Sequence, residues 1–370
     1  MYLVLLGLSL NSGCLLKRIL TAPENPVTQV EWNQPKAPIA GQPGTPLPDG
    51  PVVLDAGVLE GAADWAEGHR SSGLLVLFRG QIQLERYWMG TDQTSFTESF
   101  SMAKSVAALA VGKAVDSGKI GSIDEPVSRY LPELETKGRG EITFRHLLEM
   151  TSGLRNEDQI EWGSDLLWMH GGRNLRRAAL RIPALEPAGQ RYDYNNANTQ
   201  ILTIALEEIY GEPYAEILSR ELWKPLGLGD GAVYLDRKGG TAHGYASIFA
   251  TLRDWGKMGE ALRLGGAPIA SPSWMAAMLT PTVHRADYGL HIWMAHNPAD
   301  SDAWHDLDTF MFEGRSQQRV WVMPSAELVV VRVGERSEEW DNVVLPNMLG
   351  DAARAVQAAE QAASVVEEAP

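Results

Sequence analysis

The sequence predicts an α/β protein of the α+β type, with one antiparallel sheet built from both chain ends and flanked by helices. Strand-like segments occur at 73–88 and again after residue 288, and helical patterns dominate the stretch between them. This distribution favours a sheet that packs beside a mostly helical subdomain. The composition allows a sizeable core, because 44% of the residues are hydrophobic and 21% are charged, as in an ordinary globular protein.

Individual segments justify this assignment in chain order. The pattern over 55–68 predicts a helix, and two runs at 73–79 and 81–88 predict strands joined by a turn at Gly80. Residues 101–117 are apolar nearly all round, which predicts a buried helix. Further helices are predicted at 144–150, 196–210, 214–223, 247–264 and 341–364. Further strands are predicted at 288–294, 308–312, 319–323 and 328–333.

The N-terminal residues are expected to direct export. Residues 2–10 form a short apolar run, followed by small residues and then Cys14, which resembles a bacterial lipoprotein signal. The run is too short to span a membrane. We therefore expect an exported protein, either periplasmic or attached to the cell envelope through a lipidated Cys14. The alternative is a frayed apolar N-terminus, because no Lys or Arg precedes the run and Asn11 stands where Leu is preferred.

The domain limits follow from composition. Residues 22–51 contain eight prolines and cannot form a regular helix or a central strand, so they are predicted to be an extended arm or a tether. The predicted division is 1–21 as a signal- or lipoprotein-like segment, 22–51 as the arm, 52–364 as the domain and 365–370 as a tail.

The charge of the chain limits its partners. The formal net charge is -15, and a field of this sign repels polyanions. We therefore expect no nucleic-acid partner, and the charge also disfavours anionic membrane surfaces. Because Cys14 is the only cysteine, no internal disulfide can form.

The most specific chemical feature is Ser101-Met102-Ala103-Lys104, at the start of the apolar helix. Positions i and i+3 lie on one face of a helix, which places the serine hydroxyl and the lysine amine within hydrogen-bond reach. A lysine in a dry setting loses its charge easily and can then accept the serine proton. The alternative is a helix start with an exposed lysine one turn later.

A second candidate is the turn Tyr194-Asn195-Asn196, which follows Pro187 and Gly189 and leads into a predicted helix. A tyrosine held on such a turn near a lysine is expected to have a lowered pKa and could pass a proton to a leaving group. The alternative is a turn with a packed tyrosine.

Other chemistries have little support in the sequence. His291, His296 and His305 lie near four aspartates, but their spacing matches no known ligand pattern, so we expect no metal and no cofactor. The four aspartates lie within residues 300–308, a segment that is predicted to be a solvated loop. The loop would favour cationic substrates if it bordered a cleft. The Gly-x-Ser-x-Gly elbow, the Walker loop and the dinucleotide fingerprint are absent from the sequence.

Several motifs occur in an order that resembles one known superfamily. They are the segments 101–104, 146–154, 187–189, 194–196 and 225–228, with the sequences SMAK, HLLEMTSGL, PAG, YNN and PLGL. Together they resemble the serine β-lactamase and penicillin-binding-protein superfamily. More narrowly they resemble its class C β-lactamase-like branch, which also holds esterases and 6-aminohexanoate-dimer hydrolases. The resemblance spans about residues 54–350 and implies a β-lactamase-like fold.

The resemblance implies a role for individual residues. Ser101 would be the nucleophile, Lys104 its general base and Tyr194 the group that passes the proton to the leaving atom. Asn196 would orient Lys104 or the substrate. The backbone N–H groups of Ser101 and Arg315 would form the oxyanion hole.

The next motif departs from the family pattern. Its best match is Phe312-Glu313-Gly314, in which Phe312 replaces a cationic or polar residue that in penicillin-handling members helps to hold the substrate carboxylate. Phe312 and Gly314 would border the substrate. Trp168, in the helical subdomain, is a further candidate for a substrate contact, with packing as the alternative.

This departure favours a serine hydrolase that cleaves small esters or linear amides through an acyl-serine intermediate. The expected partner is therefore a small-molecule ester or amide. One alternative is a β-lactamase or a D-Ala-D-Ala peptidase. The other is a non-catalytic, penicillin-recognition-type binding protein that keeps the fold without turnover.

Overall fold

A computed structural model describes residues 21, 23, 25–157, 164–295 and 303–367. For residues 366 and 367 it describes the backbone alone. Cys14 and nearly all of the predicted segment 1–21 lie outside the described residues. His296 and residues 368–370 of the predicted tail also lie outside them.

Two antiparallel sheets form the framework of the protein. Their strands, β1 to β10 in chain order, are Lys36–Ile39, Ser71–Phe78, Gln81–Tyr87, Thr97–Glu98, Gly231–Tyr234, Ile248–Ala250, Trp293–Met294, Phe310–Gly314, Gln318–Met323 and Leu328–Gly334. The larger sheet has the strand order β3-β2-β10-β9-β8-β7, and the smaller has the order β1-β5-β6-β4. Val330 of β10 pairs with Val76 of β2 on one side and with Trp321 of β9 on the other. The predicted sheet built from both chain ends is therefore confirmed.

Helices cover the larger sheet and form the subdomain beside it. The α-helices, α1 to α10 in chain order, are Ala56–Gly68, Met102–Asp116, Phe144–Leu148, Asp165–Gly171, Leu175–Leu180, Asn196–Tyr210, Tyr214–Leu218, Leu252–Arg263, Pro272–Met278 and Val344–Glu367. A π-helical turn, Ser219–Trp223, continues α7. Helices α1 and α10 contact each other and the larger sheet, and α8 packs on strands β2, β9 and β10 of that sheet.

Helix α2 is the buried element that carries Ser101 and Lys104 at its start. Of its fifteen residues twelve are buried, as its apolar sequence predicts. Its small residues let other elements approach closely: a Cβ on Gly112 would lie 2.3 Å from the Trp274 side chain. Helix α2 contacts both α6 and strand β8, so it connects the helical subdomain to the larger sheet.

Two predicted elements differ from the structure. The segment predicted as a helix over 247–264 begins with strand β6, and α8 starts only after Thr251, whose side chain caps the helix by accepting from the Asp254 N–H. The strand predicted at 288–294 is reduced to Trp293–Met294, because the chain turns back on itself with a φ of 53° at His291.

The proline-rich stretch predicted as an arm or tether is packed onto the protein. Strand β1 lies in this stretch and pairs with β5 at the edge of the smaller sheet. Val27 and Ile39 are fully buried, and the Asp49 backbone bridges to Ile82. The predicted domain boundary at residue 52 would therefore separate strand β1 from the smaller sheet, to which it belongs.

No helix among the described residues is both long enough and apolar enough to cross a membrane.

Candidate active site

Helix α2 brings the predicted nucleophile and base together at its first turn. The Lys104 Nζ lies 2.9 Å from the Ser101 Oγ, as the i, i+3 spacing predicts. The same amine donates to the Asn196 Oδ1 at 2.9 Å and to the Tyr245 carbonyl oxygen at 2.9 Å. Three of the predicted residues thus meet at one point, and the Tyr245 carbonyl is a partner that the sequence did not reveal.

Lys104 is buried among neutral groups. Its side chain is almost fully enclosed, and its three hydrogen-bond partners are a hydroxyl, an amide and a backbone carbonyl. Burial lowers the pKa of Lys104 to about 7, because the ammonium loses water and none of these partners carries a compensating charge. Much of the amine is therefore neutral near pH 7, and a neutral amine can accept the proton of Ser101.

The backbone just before α2 has an unusual conformation. Phe100 has a φ of 44°, in the left-handed region that non-glycine residues seldom occupy. Ser101 follows as the N-cap of α2, and its N–H donates to no backbone acceptor among the described residues. A free N–H at a helix N-terminus can bind a developing negative charge. The hydroxyl and the N–H of Ser101 are therefore both available at the same turn.

Tyr194 lies beside this pair. Its ring centroid is 5.0 Å from the Lys104 Nζ, and its side chain hydrogen-bonds with that of Ser101. The prediction that the lysine lowers the pKa of Tyr194 is wrong: burial raises that pKa well above its usual value and outweighs the hydrogen bond with Ser101. The phenol therefore stays protonated at working pH and can act as a proton donor.

The Asn195 side chain holds the predicted turn in place. Its Oδ1 accepts from the Ala197 N–H at 2.9 Å, which caps helix α6. Its Nδ2 donates to the carbonyl oxygens of residues 154–155, at 3.3 and 3.1 Å. These hydrogen bonds fix the backbone around Asn195. Its two neighbours, Tyr194 and Asn196, are thereby held with their side chains near Lys104.

A cavity of about 420 Å³ lies close to Tyr194, which is not itself part of the cavity wall. Trp293, whose ring centroid lies 5.9 Å from that of Tyr194, forms part of its wall. Trp304 and Met311 add apolar surface, and Glu313 adds a carboxylate. Other charged and polar side chains also line it, so the cavity has a mixed polar and apolar wall.

The backbone of strand β8 lies close to the backbone of the turn that precedes Ser101. A Cβ on Gly314 would lie 2.3 Å from the Ser99 carbonyl oxygen, so only glycine fits at this position. The chain then makes the turn Arg315–Gln317, whose last two residues have φ values of 59° and 56°. The backbone of Arg315, the predicted second oxyanion donor, directly follows this close approach. The Arg315 side chain is exposed and does not line the cavity beside Tyr194.

Two fully buried polar side chains hold this turn, and sequence reasoning missed both. The Arg332 guanidinium donates to the carbonyl oxygens of Ser316 and Gln317, at 2.7 and 3.1 Å. The Gln318 Nε2 donates to the carbonyl oxygens of Arg315 and Ser316, at 3.3 and 2.9 Å. Buried donors of this kind fix the backbone that they satisfy. A signal was present, since Arg332 interrupts an otherwise apolar strand sequence.

Comparison with known proteins matches this chain to one family. The family described as Beta-lactamase matches residues 59–350, which is most of the chain. The chain belongs to the β-lactamase family.

Its relatives include hydrolases. A 6-aminohexanoate-dimer hydrolase of Paenarthrobacter ureafaciens is 25% identical over 285 residues, which cover 71% of this chain and 72% of the relative. A Bacillus anthracis structure provisionally described as a 6-aminohexanoate-dimer hydrolase has a TM-score of 0.74 at 18% identity and covers 90% of this chain and 94% of that chain. The structure of EstCE1, a hydrolase with promiscuous acyltransferase activity, has a TM-score of 0.64 at 19% identity and covers 80% and 96%. The two structures share the fold of this chain.

Phe312, at the departure from the β-lactamase family pattern, lies in the core and not in the cleft. Its side chain is fully buried within the main hydrophobic cluster. The reason is strand alternation: Met311 and Glu313 line the cavity, so Phe312 between them points to the opposite face of β8. The predicted contact of Phe312 with substrate is therefore not supported, and a buried phenylalanine offers no positive charge to a carboxylate.

Trp168 lies at a different place from the one predicted. It lines a cavity of about 390 Å³ that includes none of the groups around Lys104. Its ring packs against the main core, and the Arg181 guanidinium lies 5.8 Å from the ring centroid. The structure therefore favours packing for Trp168 and gives no support to a contact with a substrate at Ser101.

Of the three histidines that were weighed as metal ligands, the structure describes His291 and His305. Among the residues that the structure describes, no group of three or more His, Cys, Asp or Glu is placed to hold a metal ion. His291 is buried, with its Nδ1 2.8 Å from the Leu148 carbonyl oxygen and its Nε2 2.9 Å from the Thr199 hydroxyl. Burial, reinforced by the charge of Lys104, lowers the pKa of His291 to about 3, so it stays neutral.

Proposed function

We propose that this chain is a serine hydrolase that cleaves small esters or linear amides through an acyl intermediate on Ser101. The observation that carries the proposal is the buried amine of Lys104, which lies 2.9 Å from the Ser101 Oγ among neutral partners and has a pKa lowered to about 7. Such an amine can remove the serine proton without a histidine.

Acylation uses the groups that meet at the start of α2. The Ser101 Oγ attacks the substrate carbonyl carbon while its proton passes to the Lys104 Nζ. The carbonyl oxygen becomes an oxyanion that binds to the N–H groups of Ser101 and Arg315. As the scissile bond breaks, Tyr194 gives its phenolic proton to the leaving nitrogen or oxygen and recovers a proton from Lys104.

Deacylation repeats these transfers with water. The water oxygen attacks the acyl carbon while one of its protons passes to Lys104. The ester bond to Ser101 then breaks, the Oγ recovers that proton, and the carboxylic acid is released. Atoms and protons balance without any further reactant, so the cycle needs no cofactor.

The surroundings of the site favour esters and linear amides over β-lactams. The position that holds the penicillin carboxylate in related enzymes is occupied by the buried Phe312. The exposed Arg315 side chain does not line the cavity of about 420 Å³, and the Arg285 guanidinium that does line it is paired with the Asp287 carboxylate at 2.7 Å. This cavity has apolar surface from Trp293 and Met311, and its size suits a small acyl or leaving group. The similarity to a 6-aminohexanoate-dimer hydrolase supports the same choice.

Hydrolysis of a short-chain p-nitrophenyl ester by wild type and by Ser101→Ala tests the proposal. We expect Ser101→Ala to lose at least about 10³-fold in kcat. Ser117→Ala is the matched control, because Ser117 lies on the exposed C-terminal end of the same helix, and it should keep wild-type activity. Equal activity in wild type and Ser101→Ala would overturn the proposal.

Two further measurements separate the alternatives. Rapid hydrolysis of nitrocefin would show a β-lactamase and would contradict our interpretation of Phe312. Covalent labelling by a fluorophosphonate without turnover of any ester or amide would instead indicate a penicillin-recognition-type binding protein.

A further inference from the structure

The helical subdomain of this acidic protein carries a cluster of exposed cations. We call it the basic face, and it consists of Arg173, Arg177, Arg181, Arg237 and Lys238. Arg177 lies in α5, Arg181 is the C-cap of that helix and Arg173 directly precedes its N-cap. They line the cavity of about 390 Å³ that contains Trp168. An adjoining cavity shares Arg173 and adds the other two cations.

Three cations of this face, Arg173, Arg177 and Arg181, have no acidic partner among the described residues, whereas Arg237 is paired with Asp236. Of the described residues that line the first cavity none is acidic. The neighbouring Arg176 provides a contrast, since it pairs with Glu133 at 2.8 Å and with Glu208 at 2.7 Å. Asp236 is the acidic residue at the second cavity. Its carboxylate is already bonded to the Arg237 guanidinium and to backbone N–H groups.

Such clustering is unexpected for this composition. The chain has 47 acidic and 32 basic residues, so carboxylates are abundant enough to pair with every exposed arginine. Arg173, Arg177 and Arg181 lie close together without an acidic partner among the described residues, so they create a local positive potential although the net charge is negative. That potential attracts an external anion, and planar guanidinium groups are well suited to phosphate oxygens.

The path of the chain indicates which anion meets this face. Thr21 lines the second cavity, and the Trp32 Nε1 donates to its Oγ1 at 3.2 Å. Six residues lie between Cys14 and Thr21, and the seven extended steps from one to the other span at most about 25 Å. A lipid attached at Cys14 would thus hold the basic face close to a bilayer. Trp32 and Trp168, one at each cavity, are of the residue type that prefers the membrane interface.

We propose that the basic face docks on the phosphate groups of an anionic lipid bilayer. Cations spread over two adjoining cavities match several phosphates of a bilayer surface better than a single soluble anion. Exposed charges act over about one Debye length, roughly 10 Å at moderate ionic strength. The acidic remainder of the surface therefore does not prevent docking when the basic face points to the membrane. This proposal is independent of the hydrolase chemistry at Ser101.

Vesicle co-sedimentation of the full chain tests the proposal. All variants carry Cys14→Ser, so that no acyl chain contributes, and binding is compared between phosphatidylcholine vesicles and vesicles that also contain phosphatidylglycerol. The test variant combines Arg173→Gln, Arg177→Gln and Arg181→Gln. Each arginine near an anionic surface contributes about 1 kcal/mol, so the variant should lose at least ~10-fold in binding to the anionic vesicles.

The matched control removes the same charge elsewhere. It combines Arg86→Gln, Arg129→Gln and Arg336→Gln, at three largely exposed side chains outside the basic face, and should bind anionic vesicles like the wild type. Both triple variants should keep ester hydrolysis and thermal stability. Equal binding by the two variants, or wild-type binding that ignores phosphatidylglycerol and salt, would overturn the proposal. Equally tight binding of soluble polyphosphate would also overturn it, in favour of a dissolved anion.

Discussion

At the residue scale, the chemistry of the site depends on the environment of one amine. Lys104 is held by a hydroxyl, an amide and a carbonyl, and no anion balances its charge. Its pKa is therefore lowered to about 7. The same burial raises the pKa of Tyr194. One enclosed space thus provides a base and an acid, since both shifts favour the neutral forms.

The first prediction concerns pH. Lys104 acts as a base only when it is neutral, so kcat/KM for a p-nitrophenyl ester should be low in acid and rise with pH through about 7. His291 does not interfere, because its pKa is lowered to about 3. Lys104→Met should lose about 10²–10⁴-fold in kcat/KM. Its pH profile should also lack this rise through about pH 7, which we call the acidic limb.

A control identifies the residue that titrates. The pKa of Glu207 is raised to about 7 by burial, so Glu207→Gln tests whether that carboxyl produces the acidic limb. The profile of Glu207→Gln should match that of wild type. An acidic limb that disappears in Glu207→Gln but persists in Lys104→Met would show that Lys104 is not the base.

The second prediction distinguishes leaving groups. Tyr194→Phe removes the proton donor, so hydrolysis of a linear amide should fall about 10²–10⁴-fold in kcat. A p-nitrophenyl ester should be affected much less, because its leaving group departs as a stable anion. Both substrates are to be measured under identical conditions. An equal loss on both would indicate a purely structural role for Tyr194.

Residue spacing predicted part of this site. The Ser101 and Lys104 pair followed from helix geometry alone, because i and i+3 face the same way. The pKa of Tyr194 was predicted in the wrong direction, since the depth of burial is not visible in a local motif. The role of Arg332 was missed because the carbonyl groups that it binds lie in the turn 315–317, more than ten residues earlier in the chain. A local sequence pattern does not reveal such a distant contact.

At the element scale, the site depends on the close approach of strand β8 to the turn before helix α2. The approach is possible because Gly314 has no side chain where Ser99 comes near. The turn Arg315–Gln317 follows Gly314 in the chain, and the side chains of Arg332 and Gln318 donate hydrogen bonds to its carbonyl oxygens. Strand β8 thus places its backbone beside the nucleophile, which an oxyanion hole requires.

The third prediction tests this approach. Gly314→Ala would place a Cβ 2.3 Å from a backbone oxygen, so the strand must move away from Ser101. Displacements of this order cost about 10²-fold in rate, and we expect at least that loss in kcat. Gly61→Ala is the matched control, because its Cβ would meet nothing within 4 Å inside helix α1. Wild-type kcat in Gly314→Ala would contradict the account.

Element positions were predicted better than element lengths. The apolar runs of β2 and β10 and the buried helix α2 were found because burial on all sides leaves a continuous apolar sequence. The smaller sheet was not predicted, because strand β6 has three residues and β4 has two. Such short strands have no pattern of their own and exist only through their neighbours in the fold.

At the scale of the whole molecule, the N-terminal stretch joins the domain that follows it. Strand β1 pairs with β5, which lies almost two hundred positions further along the chain. The Val27 N–H also donates to the Glu335 Oε1 at 3.2 Å, near the other end of the domain. Proline content indicated an extended conformation correctly but could not reveal these distant partners.

The fourth prediction measures the contribution of this stretch. A chain that begins at Val52 loses the buried side chains of Val27, Ile39 and Leu47. Each such side chain contributes about 1.5–3 kcal/mol, so the Tm should fall by roughly 10 °C or more relative to a chain that begins at Asn25. Equal Tm values for the two chains would mean that residues 25–51 are a loosely attached tether.

The central claim is that Lys104 activates Ser101, and covalent trapping tests it most directly. A fluorophosphonate is allowed to react with the full chain, and intact-mass measurement and peptide mapping then locate the adduct. The account predicts a single adduct on Ser101, formed faster above pH 7 than below it, absent in Ser101→Ala and slowed at least about 10²-fold in Lys104→Met. An adduct on another residue, or an undiminished rate in Lys104→Met, would contradict it.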